Sequence, residues 1–291
     1  FFIVTIDVIF ELIFSFNTLG FRSYLDGRIS SFFGNELVVG TFYHFFSLIV
    51  LSYFVKNKSS NFLIIFLILL IIFISFIIGE RANFIKLFLS LLLLAFLILR
   101  INYVKKIIII FLTLLILGTT FTLNDNLKKR YYNQISVIYS LDGFGKFFKE
   151  SQYGAHQYTA YEIFKDNVFF GVGLKNFREE SKKDIYENPE YKKTNERQAT
   201  HPHQIHLELL SEIGLIGYIL FLILISFSII ISTKNYLIKK NPYQLSCVIY
   251  ILSSLIPLIP SGSIFSTFYG GIFWFSFGLM ISFNRNLKSK F

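Results

Sequence analysis

Long apolar stretches alternate with short polar connections over most of the chain, and this alternation is its strongest structural signal. Each stretch is long enough, or nearly so, to cross a bilayer core of about 30 Å as a helix. The stretches cover residues 1–16, 37–54, 61–79, 82–99, 105–122, 207–232, 244–259 and 264–283. The pattern predicts an all-α, polytopic transmembrane protein with about eight spans and a large, partly helical loop.

The spans divide the chain into three parts. We expect N-terminal transmembrane helices over residues 1–122, a large loop over 123–204 and C-terminal transmembrane helices over 205–291. The chain begins with Phe1 inside an apolar run, without an initiator methionine. We therefore expect the first span to be cut short and earlier spans to be missing.

Composition favours a membrane protein over a soluble domain. Of the 291 residues, 54% are hydrophobic and 16% are charged, with a mean hydropathy of +0.58. A soluble domain has a charged fraction of about a quarter. The single cysteine, Cys247, excludes a disulfide within the chain.

Basic residues in the short connections predict the orientation. They are Lys56, Lys58, Arg100, Lys105, Lys106, Lys234, Lys239, Lys240, Arg285, Lys288 and Lys290. Counted through the predicted spans, all of them fall on one side, which the positive-inside rule makes cytoplasmic. The opposite, outer side receives the large loop together with Arg28, Arg81 and His203.

Three parts of the large loop differ in character. Residues 158–164 are apolar at helical spacing and predict a helix. Residues 167–178 contain Gly171 and Gly173, so we expect a turn whose backbone approaches another segment closely. Residues 179–197 are charged and contain Pro189, which favours a mobile surface loop or lid.

A run of histidines lies where the large loop meets the next span. Because proline suits the first helical position, Pro202 predicts His201 as the helix cap and His203 as a first-turn residue. The positive end of the helix dipole favours a neutral imidazole there, which can accept a proton. His203 and Gly214 are eleven positions apart, about three helical turns. We therefore expect both on one helix face, with the glycine admitting a second helix.

These histidines allow two other interpretations. His203 and His206, a turn apart, could bind zinc with Glu208, but the cysteines and further carboxylates of a closed site are absent, so we expect no metal. They could also be ordinary interfacial histidines. We favour a proton-accepting base at the outer membrane face. His156, in the large loop, is a further candidate for the same site.

Two arginines on the outer side could bind an anion. Arg81 lies between two spans, and Arg28 lies in the connection after the first span. Each could instead extend toward lipid headgroups as an interfacial arginine. Since a guanidinium binds phosphate through two parallel hydrogen bonds, two arginines and a helix N-terminus on one membrane face would suit a lipid diphosphate.

Three segments resemble, in the same order, motifs of the bacterial O-antigen ligase and polymerase superfamily of membrane glycosyltransferases. Residues 201–217 resemble its histidine motif, a His and a Gly with ten residues between them, and the match selects His203 and Gly214. Residues 164–177 resemble its Pro-Leu-Phe-Gly-Val-Gly segment in the large periplasmic loop. Arg81 and the earlier Arg28 resemble its arginine-bearing periplasmic positions.

Two positions depart from the family pattern. Val168 replaces a frequent proline, and His206 replaces a common aromatic residue. His206 therefore leaves open which imidazole acts as the base, and His201 is the runner-up to His203.

The resemblance implies transfer of a glycan from an undecaprenyl diphosphate carrier to a sugar hydroxyl, without a metal, a cofactor or a nucleic acid partner. The enzyme would lie in the bacterial inner membrane, in contact with membrane lipid, with its site facing the periplasm. His203 would be the catalytic base, Arg81 and Arg28 would bind the donor diphosphate, and the anomeric configuration would invert. Possible supporting residues are His201, His206, His156, Lys175 and Arg178, and structural glycines are Gly171, Gly173 and Gly214.

The acceptor separates two activities within the superfamily. A ligase of lipopolysaccharide biosynthesis would use the lipid A core, whereas a polymerase would extend O-antigen or exopolysaccharide repeat units. A transporter or flippase of lipid-linked sugars is a rival of another class, but it predicts polar residues deep within several spans. Residues 62–76 and 88–99 have nearly none. A non-catalytic assembly partner would tolerate loss of the histidines.

Overall fold

The computed structural model confirms the predicted all-α class, because every regular element among the described residues is helical. It describes residues 1–23, 25, 27–34, 36–99, 102–123, 128, 131–132 and 143–284. Most of the predicted loop between residues 124 and 142 lies outside these ranges. Arg100, Arg285, Lys288 and Lys290, which contributed to the predicted orientation, also lie outside them.

The described helices form two compact units. Unit 1 comprises residues 1–132, 232–254 and 275–291, and unit 2 comprises residues 133–231 and 255–274. The helices are α1 (Phe2–Phe14), α2 (Val39–Lys56), α3 (Asn61–Ile78), α4 (Arg81–Ile98), α5 (Tyr103–Leu123), α6 (Gly143–Glu150), α7 (Gln152–Asp166), α8 (Phe177–Glu180), α9 (Ile205–Lys239), α10 (Pro242–Ser254) and α11 (Tyr269–Ser282). Short 3₁₀ turns cover Ser31–Phe33, Asp184–Tyr186 and Thr194–Glu196.

Within the described ranges, four helices are long and apolar enough to cross a membrane: α2, α3, α4 and α9. The chain is therefore a multi-pass membrane protein, but the prediction of about eight spans is not confirmed. The last two predicted spans contain shorter helices, since α10 has 13 residues and α11 has 14. Pro257 and Pro260 lie between them, and because the residue before a proline disfavours the helical conformation, α10 ends before Pro257.

Unit 1 is built from closely packed helices with small polar side chains between them. Ser52 of α2 and Ser246 of α10 are fully buried, and their hydroxyls lie 2.6 Å apart. Ser52 also donates to the carbonyl of Pro242 over 3.0 Å. Small residues let apolar helices approach, and their hydrogen bonds hold helices together where burial from lipid provides little driving force.

Glu80 fixes the starts of α2 and α4. Its buried carboxylate accepts the N–H of Gly40, in the first turn of α2, over 2.9 Å, and the side-chain amide of Asn83 over 2.7 Å. A Cβ on Gly40 would lie 2.6 Å from a Glu80 oxygen, so a larger residue would displace the carboxylate. A negative charge is stabilised at a helix N-terminus, and the contact anchors α4 where Arg81 begins it.

Two buried carboxylates of α1 hold the connection that carries Arg28. Glu11 accepts the N–H of Ser31 over 2.6 Å, and Asp7 accepts the Ser31 hydroxyl over 2.6 Å. Asp7 also accepts the N–H of Thr18 over 2.8 Å. Buried carboxylates are tolerated when such donors satisfy them, and these contacts hold Thr18 and Ser31 against α1.

In unit 2, α7 contains the predicted helix at 158–164 and forms the centre of a small core. That core consists of the buried residues Ala160, Ile163, Phe177 and Tyr186. The segment 179–197, predicted as a mobile lid, is folded against α7. Its Tyr186 is 4% exposed, and its Arg197, also 4% exposed, donates to the Thr194 carbonyl over 3.2 Å.

Candidate functional site

Helix α9 begins at Ile205, and Gln204 caps it. The Gln204 side-chain oxygen accepts the N–H of Leu207 over 2.7 Å, which satisfies a first-turn donor. His203 precedes this cap in the left-handed conformation, with φ of 55°. The predicted helix start at Pro202 is therefore wrong, because an amide side chain caps the helix two residues later. His201 is not the cap and His203 is not in the first turn.

Helix α9 opens at Gly214, which has φ of 67° and ψ of −175° inside the helix. Residues 168–173, which we call the Phe-Gly loop, fill this opening through main-chain hydrogen bonds. Leu215 and Ile216 donate to the carbonyls of Val168 and Phe169 over 2.7 and 3.3 Å, and Val172 and Gly173 donate to those of Ser211 and Glu212 over 2.9 and 2.8 Å. The loop thereby satisfies main-chain groups that the broken helix leaves unpaired.

Gly171 and Gly214 leave no room for side chains where the loop meets the helix. A Cβ on Gly214 would lie 2.4 Å from the carbonyl of Phe169, and a Cβ on Gly171 would lie 2.4 Å from the carbonyl carbon of Glu212. Both glycines have positive φ. Gly214 therefore admits the Phe-Gly loop and not a second helix, and the prediction that it shares a helix face with His203 is wrong.

Glu212 fastens the chain that follows the Phe-Gly loop. Its side chain, in a residue that is 1% exposed, accepts the N–H of Lys175 over 2.7 Å and that of Phe177 over 3.3 Å. Lys175 has φ of 61°, and this contact supports that conformation. Lys175 and Arg178 are thereby held beside the opened turn of α9, with both side chains exposed.

Replacing Glu212 with glutamine should lower the unfolding free energy by about 1–3 kcal/mol, because an amide nitrogen then faces a main-chain donor. Thermal unfolding in detergent measures the loss. Glu179→Gln is the matched control, since Glu179 is exposed and pairs only with exposed Lys182 among the described residues. Equal melting temperatures for the two variants would refute the role assigned to Glu212.

Three imidazoles and a phenol gather beside the start of α9. The ring centroid of His203 lies 4.1 Å from that of His201 and 5.3 Å from that of His156, with the last pair stacked at 25°. Tyr153 meets His203 edge-on at 5.2 Å. Helix α7 supplies both Tyr153 and His156, so the fold brings a remote segment of the loop to the histidine run.

The three histidines differ in their hydrogen bonds. His156 donates Nε2–H to the carbonyl of Glu196 over 2.8 Å, while its Nδ1 is buried without a partner. His201 Nδ1 lies 2.9 Å from the Thr200 hydroxyl, and its Nε2 is also buried and unpaired. His203 is half-buried, and its ring forms no hydrogen bond within the described part of the chain. His203 therefore keeps an available lone pair.

Burial keeps this cluster neutral. Burial, with the neighbouring His201 and His156, lowers the pKa of His203 to about 3. Burial, followed by the influence of His156, lowers the pKa of His201 to about 4, and the Arg178 charge acts in the same direction. Burial also lowers the pKa of His156. A neutral imidazole can accept a proton, whereas an imidazolium cannot.

His206 has a different environment. Its Nε2 donates to the carbonyl of Leu255 over 2.8 Å, which leaves Nδ1 to accept the Tyr218 hydroxyl over 3.0 Å. Both ring nitrogens are therefore engaged in contacts that hold α9 to the segment after α10. This arrangement suits a structural histidine.

A pocket of about 450 Å³ lies in unit 2 next to Lys175. Its wall is mainly apolar and includes Trp274, Ser266 and Thr267. Among the residues that the structure describes, no group of three or more His, Cys, Asp or Glu side chains is arranged to hold a metal ion.

Arg28 and Arg81 belong to unit 1, and their chain segments meet there. Ile29, directly after Arg28, donates its N–H to the carbonyl of Ile78 over 3.2 Å, three residues before Arg81. Arg28 Nε is buried and has no hydrogen-bond partner among the described residues. Both side chains are half-buried.

Two features of the site were not predicted from the sequence: the position of Tyr153 beside His203, and the hydrogen bonds that Glu212 accepts from the chain after the Phe-Gly loop. Tyr153 lies three residues before His156, so the two share one face of α7, and that spacing was the available signal. Glu212 offered no local signal, because its partners are main-chain groups about 35 residues earlier. Their approach depends on the opened turn at Gly214.

Comparison with protein families gives a direct result. A family model described as O-antigen ligase, Wzy_C, matches residues 62–222, more than half of the chain. The chain belongs to this O-antigen ligase family. The match spans α4, which begins at Arg81, the Phe-Gly loop, the histidine cluster and the opened turn of α9, and it confirms the resemblance found in the sequence. No curated protein matches the chain.

Proposed function

We propose that this O-antigen ligase family member transfers a glycan from an undecaprenyl diphosphate carrier to an acceptor sugar hydroxyl. We further propose that it acts in the bacterial inner membrane with its site facing the periplasm. The observation that carries the proposal is the placement of His203: its ring lies beside His201, His156 and Tyr153 and forms no hydrogen bond with the described residues. A ring nitrogen is therefore available to accept the acceptor proton.

The proposed step is a direct displacement. The acceptor oxygen attacks the anomeric carbon while its proton passes to the lone pair of His203. The bond between the anomeric carbon and the diphosphate oxygen breaks, and its electrons leave with the carrier diphosphate. Attack opposite the leaving group inverts the anomeric configuration, and no metal takes part.

His203 is a better candidate for the base than its neighbours. His206 engages both ring nitrogens, and His201 has one nitrogen at Thr200 and the other buried. His156 is 2% exposed, so an acceptor cannot reach it without displacing other groups. These contacts support His203 as the base, and we propose that the other histidines hold or tune it.

Arg28 and Arg81 are the proposed diphosphate ligands. Their segments adjoin in unit 1, and the Nε of Arg28, which has no partner among the described residues, leaves a donor for an anion. Two guanidinium groups would neutralise charge that develops on the leaving diphosphate. In unit 2, Lys175 and Arg178 are exposed, and we propose that they add positive potential near the proposed base.

Polar groups within the spans of unit 1 favour a transferase over a transporter. His44 and Lys86 are buried there, and His44 Nε2 lies 2.9 Å from the Ser253 hydroxyl. Each is five residues from the first residue of its helix, about 7 Å along the axis. A path for a charged substrate would need titratable groups near mid-span as well, where the buried polar residues of these two helices are Ser47 and Ser90.

Glycan transfer should stay nearly constant between about pH 7.5 and 5.5, because the pKa of His203 is about 3. An imidazole with the ordinary pKa of about 6.5 would be about nine-tenths protonated at pH 5.5. The free energy of unfolding, in contrast, should decrease as the pH falls from about 6.5 toward 3. In that range the histidines of the unfolded chain bind protons that the buried histidines of the folded protein do not. Initial rates, taken where circular dichroism reports folded protein, measure the effect. A tenfold loss of rate at pH 5.5 would contradict the shifted pKa.

Expression in two bacterial hosts tests the function and separates ligase from polymerase. Surface glycan and carrier-linked glycan are resolved on gels from a host lacking its ligase and from one lacking its polymerase. We expect ligase activity, in which ready-made chains appear on lipid A core in the first host. Lengthening of single repeats in the second host would establish the polymerase alternative. No new glycosidic bond, despite a matched donor, would contradict both.

A further inference from the structure

The Phe-Gly loop carries two large apolar side chains that the protein leaves uncovered. Phe169 is 64% exposed and Phe170 is 77% exposed. Their main chain is pinned to α9, since the carbonyl of Phe169 accepts the N–H of Ile216 over 3.3 Å. The two rings are therefore held on a fixed backbone and do not belong to a loosely attached segment.

The exposed rings adjoin an exposed apolar stretch of α9. Leu215 and Ile216 are 37% and 44% exposed, and one turn later Ile219 and Leu220 are 46% and 62% exposed. α9 is one of the helices able to cross a membrane, and only 22% of its most apolar window is buried inside the protein. This side of α9 has the character of a lipid-facing surface, and the loop continues it.

The length of α9 indicates the depth of the loop. Residues 215–231 contain no charged side chain, and as a helix they extend about 25 Å. That length nearly fills a hydrocarbon core of about 30 Å. Gly214 and the Phe-Gly loop would then lie at the boundary between acyl chains and headgroups.

We propose that Phe169 and Phe170 insert into the bilayer leaflet on the side of His203, so that the Phe-Gly loop is a membrane anchor. Its occupant is lipid, with acyl chains against the two rings and anionic headgroup phosphates near Lys175 and Arg178. Aromatic and aliphatic side chains beside basic residues are the usual composition of an interfacial anchor. The proposal is independent of the transferase function.

The anchor has a structural consequence for the site. The same six residues fill the opened turn of α9 and contact lipid, and the next residues supply Lys175 and Arg178. The Phe-Gly loop therefore sets both the depth of the site in the membrane and the opening of α9. This consequence, unlike the anchor itself, rests on the proposed function: a lipid diphosphate donor would meet these two cations at the level of its own phosphates.

Depth-dependent fluorescence quenching tests the anchor. An environment-sensitive NBD label is placed at Phe170→Cys in a Cys247→Ala background, in vesicles of phosphatidylethanolamine and phosphatidylglycerol. Ile185→Cys is the matched control, because Ile185 is also apolar and 73% exposed but lies in the 3₁₀ turn Asp184–Tyr186. We expect a blue-shifted label at position 170, quenched several-fold more by acyl-chain spin-labelled lipid than by aqueous iodide, and the opposite at position 185.

Two results would overturn the proposal. Iodide quenching at position 170 equal to that at position 185 would place the loop in water. Protection from both quenchers would mean that a protein segment or a second copy covers it. Phe170→Trp in a Trp274→Phe background repeats the test with an aromatic residue retained, and brominated lipid should quench it.

Discussion

Replacing His203 with alanine should reduce glycan transfer by about 100-fold or more, because a positioned general base contributes about 10²–10⁴ to the rate. The protein should fold normally, since the His203 ring forms no hydrogen bond within the described residues. Carrier-linked glycan should accumulate in cells that depend on the variant. Gel analysis of the glycan pools, with membrane-inserted protein quantified in parallel, measures the loss.

His201→Ala is the matched control for the base. His201 belongs to the same cluster, but one ring nitrogen contacts Thr200 and the other is buried. Its loss should lower transfer less than about tenfold, the change expected from altered surroundings of His203 and not from loss of the base itself. If His201→Ala abolished transfer while His203→Ala preserved it, the two assignments would have to be exchanged.

Replacing Gly214 with alanine should disrupt unit 2. Its φ of 67° and ψ of −175° belong to a region that residues other than glycine essentially do not adopt. The added Cβ would also lie 2.4 Å from main-chain atoms of Phe169, so the Phe-Gly loop would have to leave the opened turn. We expect a loss of several kcal/mol, since strain and unpaired main-chain groups add together.

Gly278→Ala is the control for this substitution. Gly278 lies in α11, and a Cβ there would meet nothing within 4 Å, so alanine should be neutral or slightly stabilising. Melting temperatures and detergent-resistant folding are compared for both variants. A Gly214→Ala protein that melts like wild type would show that the loop and helix can separate without cost.

Hydropathy was sufficient to place the long spans. The stretches predicted at 37–54, 61–79 and 82–99 coincide within two residues with α2, α3 and α4, because a long apolar run in a membrane protein can satisfy its main chain only as a helix. The same argument overestimated the lengths of the helices in the stretches 244–259 and 264–283. Pro257 lies within the first stretch, where α10 ends at Ser254, and in the second stretch α11 begins only at Tyr269 although hydropathy stays high.

The histidine site could be predicted in part. The motif selected the segment around His203, which lies within the residues that the family model matches. The predicted start of α9 was wrong because proline is also common before a helix, and the side chain of Gln204, two residues after Pro202, caps the helix here. The opened turn could not be foreseen, since Gly214 adopts its conformation only with the Phe-Gly loop in place. Tyr153 and His156 join the cluster through the fold of α7 and not through sequence proximity.

The most direct test of the central claim uses purified protein in vesicles, with a labelled undecaprenyl diphosphate-linked glycan and an acceptor glycolipid. We predict that wild type forms a new glycosidic bond of inverted configuration and releases one undecaprenyl diphosphate per bond. His203→Ala should bind the donor with unchanged affinity and form product at least about 100-fold more slowly. Translocation of intact donor without a new bond, or transfer by His203→Ala at the wild-type rate, would contradict a transferase that uses His203 as its base.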